Sequence, residues 1–170
     1  IVGPGVKTGL NIRMEVHNQL GADIVANAVA ALEKYTAPII MVDMGTATTM
    51  FVLDRSGAFI GGVIAPGVKL SYSALSSGAS LLPVISIDEA PKKVISSNTV
   101  DCMKSGAIFG TAAMVDGVIE RMEAELGEPV TAVATGGIAS HIIPYCKRKI
   151  EYEPDLLLHG LEIIYNKNKK

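Results

Sequence analysis

Asp43 ends an apolar run, and a Gly45-Thr46 turn follows it directly within Val42-Asp43-Met44-Gly45-Thr46-Ala47-Thr48-Thr49. Glycine lets backbone N–H groups turn toward an anion, and threonine hydroxyls add donors, which together make a phosphate-binding nest. Asp43 could hold the cation that accompanies a polyphosphate. The same residues also suit a plain hairpin, with the acid capping backbone groups and β-favouring threonines continuing the strand. Spacing alone leaves both readings open. A second acid, Asp23, follows Gly21-Ala22 where a helix begins. It fits an N-cap. Kept ionised by the helix dipole, it could equally accept a proton from a substrate hydroxyl.

Weaker signals surround these two. Gly61-Gly62 and Gly136-Gly137 each end a strand-like run, which suits close packing of backbones or the approach of a ligand. Asn98-Thr99 opens the longest helix, with Thr99 expected as its cap or as a hydroxyl contact. His17, His141 and His159 share no metal-ligating spacing. Cys102 and Cys146 lie in helix-like contexts and are expected to be reduced, buried and structural.

The elements that must position the two acids follow from apolar periodicity. Ile24, Val25, Ala28, Leu32 and Tyr35 predict a helix that Pro38 stops. Ile39 to Val42 reads as a buried central strand ending in Asp43. Thr48 to Leu53 and Ala58 to Ile64, joined by Asp54-Arg55-Ser56-Gly57, complete an antiparallel meander. A helix is predicted from Lys69 to Leu82, then a short strand from Val84 to Ile87. Val100, Met103, Ala107, Met114, Val118, Met122 and Leu126 predict one long helix stopped by Gly127. A strand over Val130 to Ala134, a short helix near 138–146 and a helix from Asp155 to Tyr165 follow, with a frayed tail from Asn166. The fold class is α/β, helices packed on a mixed sheet.

Composition removes several alternatives. With 49% hydrophobic and 19% charged residues the 170-residue chain can build a core and is not a disordered segment. A net charge of −2 gives no basic surplus for nucleic acid or an anionic membrane. No basic-then-apolar leader is visible, and the longest uncharged run, Leu70 to Ile87, carries Pro83 and six serines, so it is no membrane span. A cytoplasmic setting with reduced thiols fits. The chain starts Ile1-Val2-Gly3 without an initiator Met, which suggests part of a longer product.

In combination these segments resemble the type III pantothenate kinase family, of the actin-like, acetate-and-sugar-kinase superfamily. The likeness rests on Gly3-Pro4-Gly5-Val6-Lys7-Thr8-Gly9-Leu10, Gly21-Ala22-Asp23, the Asp43 segment and Gly61-Gly62-Val63-Ile64-Ala65-Pro66-Gly67. It continues through Asn98-Thr99-Val100, Ser105-Gly106 and Ala134-Thr135-Gly136-Gly137. The resemblance implies an actin-like (RNase H-like) lobe and ATP-dependent phosphorylation of pantothenate, the first step of coenzyme A synthesis. It implies Asp23 as proton acceptor, Gly21, Ala22, Asp23 and Ile24 as the substrate loop, and Thr99 as a substrate contact near a homodimer interface. Asp43 would hold a monovalent cation (K+ or NH4+), and Gly45 and Thr46 would contact ATP, which enters with Mg2+. Residues 1–36 would be an inter-lobe segment and helix, and 37–170 a C-terminal kinase lobe.

Two departures accompany the likeness. Position 24 carries Ile where the family has Arg, and no Asp-Gly-Asn-Thr phosphate loop occurs. The expectation is therefore a lobe that has little activity alone. A catalytically inactive paralogue acting as a regulatory or binding module, and an actin-like phosphotransferase with another hydroxyl substrate, stay open as alternatives.

Overall fold

The computed structural model describes residues 5–15 and 20–169. Gly3-Pro4 of the opening turn, His17 and Lys170 lie outside the described residues. Strands β2 (Ile39–Met44), β3 (Ala47–Leu53) and β4 (Ala58–Pro66) form the antiparallel meander expected from the sequence. Asp54 shapes the second turn, its carboxylate accepting from the Ser56 and Ala58 N–H groups at 2.8 and 3.0 Å. Beyond β2 lie β5 (Thr131–Thr135) and β6 (Glu151–Tyr152), both parallel to it in direction. At the opposite edge β1 (Asn11–Ile12) runs parallel to β4. The order is β1-β4-β3-β2-β5-β6, and β3 is the reversed strand. From β4 to β6 this is the order and orientation of an actin-like (RNase H-like) lobe.

Strand alternation sorts the core into two layers. Ile40, Val42 and Met44 of β2 face one layer, with α4 (Thr111–Leu126) and α5 (Ala139–Ile142) packed over them. Ile39 and Met41 face the other, with Phe51, Phe59, α1 (Ala22–Lys34) and α6 (Leu156–Asn168). The helix over residues 22–34 thus shares one core with the strands that follow it. Its far end is pinned by Glu153, whose carboxylate accepts from both Lys34 and Tyr35.

Elsewhere the structure corrects the sequence reading. Helix α2 (Val68–Gly78) ends before Leu82, where the Ala79 N–H bonds back to the Leu75 carbonyl. Val84 to Ile87 is not a strand: Ile85 and Ile87 pack beside Tyr72 on the core, while Val84 stays exposed. Two-residue β1 and β6 were invisible because a pair of residues carries no period. The Asn98 side chain, not Thr99, caps α3 (Thr99–Ser105), accepting the Asp101 N–H at 2.9 Å. Cys102 is exposed rather than buried, and Cys146 is half-buried, its thiol pushed up to about 12 by burial and the nearby Asp116 charge. The tail is helical to Asn168, whose side-chain amide donates to the Lys7 carbonyl and accepts the Lys7 N–H.

Between α3 and α4 a π-helical turn, Gly106–Gly110, inserts extra backbone and rotates the apolar stripe. The buried positions become Met103, Ala107, Ile108, Ala112, Val115, Ile119 and Met122, while Met114 and Val118 are only half-buried. Gly127 ends the helix at φ 72°, as expected. The run Thr99–Leu126 is long and apolar enough to cross a membrane by length and composition. Its buried stripe lies in the core against β2 and β5, so we read it as a core helix.

Candidate functional site

Helix α1 runs straight into β2 through a short turn and packs back over it, so the helix's first turn lies above the strand's carboxyl end. Asp43 occupies the same face of β2 as Ile39 and Met41, and its side chain therefore points toward α1. There the Asn27 side-chain nitrogen Nδ2 donates to Asp43 Oδ2 at 3.1 Å. Oδ1 of the same carboxylate lies beside Gly45, 3.8 Å from where a Cβ on that residue would stand. Asp23 sits one helical turn before Asn27, exposed and near enough for its charge to act on Asp43. The structure thus brings the two acids that the sequence singled out within reach of each other's charge. Asn27 went unremarked in the sequence, although a polar residue inside the stretch Val25–Ala31 was the available signal.

Burial, and then the Asp23 charge, raise the Asp43 carboxyl above its ordinary value, with the Asn27 bond opposing them. A folded-state pKa above the unfolded one means that charging Asp43 works against the fold as pH rises through it. Asp43→Asn is expected to raise Tm at pH 7 by about 2–4 °C for each kcal/mol relieved. The gain should vanish in acid below the unfolded pKa, where the wild-type carboxyl is protonated in both states. A Tm at pH 7 that is unchanged or lower would contradict this account.

Asp23 is not the helix cap. Gly21 occupies that position, through backbone alone, and Asp23 Oδ1 lies only 2.4 Å from where a Gly21 Cβ would be. The bare glycine therefore gives the carboxylate its room, beside exposed Ala22. Ile24 points elsewhere. It is half-buried with Met14, Leu20 and Phe51 and lines a recess of about 650 Å³ that also holds Arg13 and Gly62.

The Gly45-Thr46 turn is exposed, and its backbone is boxed in. Gly45 donates its N–H to the Ala47 carbonyl at 3.0 Å, and Thr46 accepts the Gly67 N–H at 3.0 Å. A Cβ on Gly67 would stand 2.3 Å from the Thr46 carbonyl oxygen. Gly136, at φ 98°, would place one 2.6 Å from the Met44 carbonyl. The Gly45 N–H is thus spent on the hairpin, while Thr46 stays exposed. Gly62 serves packing, since a Cβ there would meet the Met50 carbonyl at 2.0 Å.

Thr99 is not part of this cluster. It is exposed at the start of α3 and lines a separate groove of about 560 Å³ with Tyr72, Leu75, Leu82, Cys102 and Met103. His141 lies on α5 and His159 on α6, and neither makes a hydrogen bond to either acid among the described residues. Among the described residues no group of three or more His, Cys, Asp or Glu side chains converges as a metal cage. A cation at Asp43 would draw on amide, backbone or substrate oxygens as well, the hard donors that suit K+ or Mg2+.

The fold is an actin-like lobe, and in open α/β sheets ligands bind outside the carboxyl ends of the strands where the strand order reverses, which here is the β2–β5 boundary that Asp43 occupies. Comparison with known proteins narrows the class. Residues 1–121 match the sequence model of the type III pantothenate kinase family. The type III pantothenate kinase of Exiguobacterium sp. (strain ATCC BAA-1283 / AT1b) is 44% identical over 170 residues, covering 100% of this chain and 66% of its own length. That of Halalkalibacterium halodurans is 45% identical over 168 residues, covering 99% of this chain and 66% of the relative. A crystal structure from Campylobacter jejuni, described as a Baf family transcriptional activator, shares the fold at TM-score 0.62 and 21% identity, over 95% of this chain and 70% of that one. The chain belongs to the type III pantothenate kinase family. It spans about two thirds (66%) of the length of the curated relatives it matches.

Proposed function

We propose that the polypeptide containing this chain transfers the γ-phosphoryl group of ATP to the hydroxyl of pantothenate, giving 4'-phosphopantothenate for coenzyme A synthesis. The observation that carries it is the Asp23–Asn27–Asp43 cluster beside the Gly45-Thr46 turn at the end of β2. Phosphoryl transfer is mostly positioning and charge stabilisation, with an acid accepting the nucleophile's proton. Exposed Asp23 takes that part, and Gly21 and Ala22 line the acceptor beside it, while Ile24, the last residue of the expected substrate loop, turns into its recess instead. Asp43 holds a monovalent cation, K+ or NH4+, and Thr46 meets the ATP phosphates through its exposed hydroxyl, with Gly45 leaving the turn bare of a side chain. K+ and the Mg2+ that comes with ATP offset phosphate charge when bound.

The remaining assignments belong to the same reading. Residues 1–36 are the inter-lobe segment and helix, packed through β1 and α1 on the C-terminal kinase lobe of residues 37–170. The protein acts as a cytoplasmic homodimer, with Thr99 a substrate contact close to the dimer interface. The test is direct. The complete polypeptide, given ATP, Mg2+, pantothenate and K+, is expected to form phosphopantothenate, and no turnover where a relative works would overturn the proposal.

Ile24 favours a second reading, a catalytically inactive binding module. Its side chain lies in a recess with Met14, Leu20 and Phe51 and offers no charge to the acceptor. A ligand that binds only the folded state raises Tm with concentration. Binding of ATP and pantothenate without turnover would select this reading.

A further inference from the structure

Asn27 is 4% exposed, and the stretch around it, Val25–Ala31, is otherwise Ala and Val. Its Nδ2 is bonded to Asp43, yet its Oδ1 is buried without a hydrogen-bond partner among the described residues. A buried carbonyl left unsatisfied works against folding, and such groups are rare enough to need a reason. Alanine already occupies positions 26, 28, 30 and 31 of the same stretch and would fill position 27 without that penalty. Packing therefore does not call for an amide here. The carboxylate beside it does. By holding Oδ2 of Asp43, Asn27 leaves the other carboxylate oxygen, Oδ1, on the Gly45 side, while the oxygen of its own amide stays unpartnered.

We infer that Asn27 is a positioning residue of a monovalent-cation site: its nitrogen fixes Asp43, and its unpartnered Oδ1 supplies that ion with a second protein oxygen. The inference rests on the proposed function for the placing of a cation at Asp43, and its test reads the ion separately from turnover. Residues that orient a metal ligand typically change metal affinity by about 10–100-fold when removed.

The experiment uses the complete polypeptide and K+ itself. Tm is followed as KCl replaces tetramethylammonium chloride at constant ionic strength, for the parent, Asn27→Ala and the bulkier Asn27→Leu. The parent Tm should rise with K+. In at least one folded variant the Tm without K+ should stay within about 2 °C of the parent or above it. That variant should need at least about ten-fold more K+ for the same rise. In the kinase assay its K+ activation constant should increase by a similar factor, with KM for pantothenate little changed. An unchanged K+ requirement in the variants, a loss of Tm in both without any change in K+ response, or a parent indifferent to K+ would overturn the inference. A parent that responds to K+ through Asn27 but turns nothing over would remove the kinase reading and leave this one standing.

Discussion

Asp23→Asn in the complete polypeptide is expected to lower kcat by about 10²–10⁴-fold, the usual contribution of a positioned general base. The substitution keeps size and shape and removes only the ability to take a proton. Asp23 is exposed and caps nothing, so the fold should not depend on its charge. Tm should hold or rise slightly, since the charge that burdens Asp43 disappears with it. KM for pantothenate should move far less than kcat, because the proton is transferred in the transition state rather than on binding. Steady-state kinetics of parent and variant, with thermal scans of both, check each part. A kcat within a few-fold of the parent would place the proton acceptor elsewhere. A fall in kcat matched by a collapse of Tm would make Asp23 a structural residue.

Both acids were legible in the sequence because each stands at the end of an element, Asp43 after an apolar run and Asp23 after a Gly-Ala helix start. Their meeting was not. It depends on α1 folding back over β2, a tertiary choice that periodicity does not encode. The meander was legible for a different reason: continuous apolar runs and an Asp-Arg-Ser-Gly turn specify strands and reversal locally. Val84 to Ile87 has the same apolar look, but its partners are Tyr72 and the helical layer rather than a strand, so β-propensity misled. The long helix shows how far a period can be trusted. Its start and Gly127 stop were clear, yet the π-helical turn at Gly106–Gly110 moved the buried face by inserting backbone that leaves no mark in an apolar count. Asn27 was hidden by its setting among alanines, where a polar residue reads as a solvent-facing break. Ile24 is the reverse case. The sequence placed it beside Asp23, and the helix turns its side chain away into a recess with Met14, Leu20 and Phe51.

That dependence of the site on how α1 is seated makes Gly160→Ala the second large effect. Gly160 of α6 is buried where the two helices cross, and a Cβ there would stand 1.9 Å from the Ala26 carbonyl oxygen and 2.4 Å from its carbon. These are backbone atoms of α1 and cannot rotate aside as a side-chain tip would. One helix must shift, so the cost should reach or exceed the about 1–3 kcal/mol typical of overpacking. At about 2–4 °C per kcal/mol for a chain of this size, the thermal midpoint should fall by several degrees. Gly117→Ala on α4 is the matched control, because its Cβ would meet only the movable Arg121 guanidinium, at 3.2 Å. There the usual helix preference for Ala over Gly, about 1 kcal/mol, should raise the midpoint. Opposite signs from the same substitution would locate the effect in the α1–α6 crossing rather than in helix propensity. Equal signs would show that the crossing can yield without cost. Because Asn27 follows Ala26 directly, the displacement should also reach Asp43, and kcat/KM of Gly160→Ala should fall below the level its folded fraction predicts.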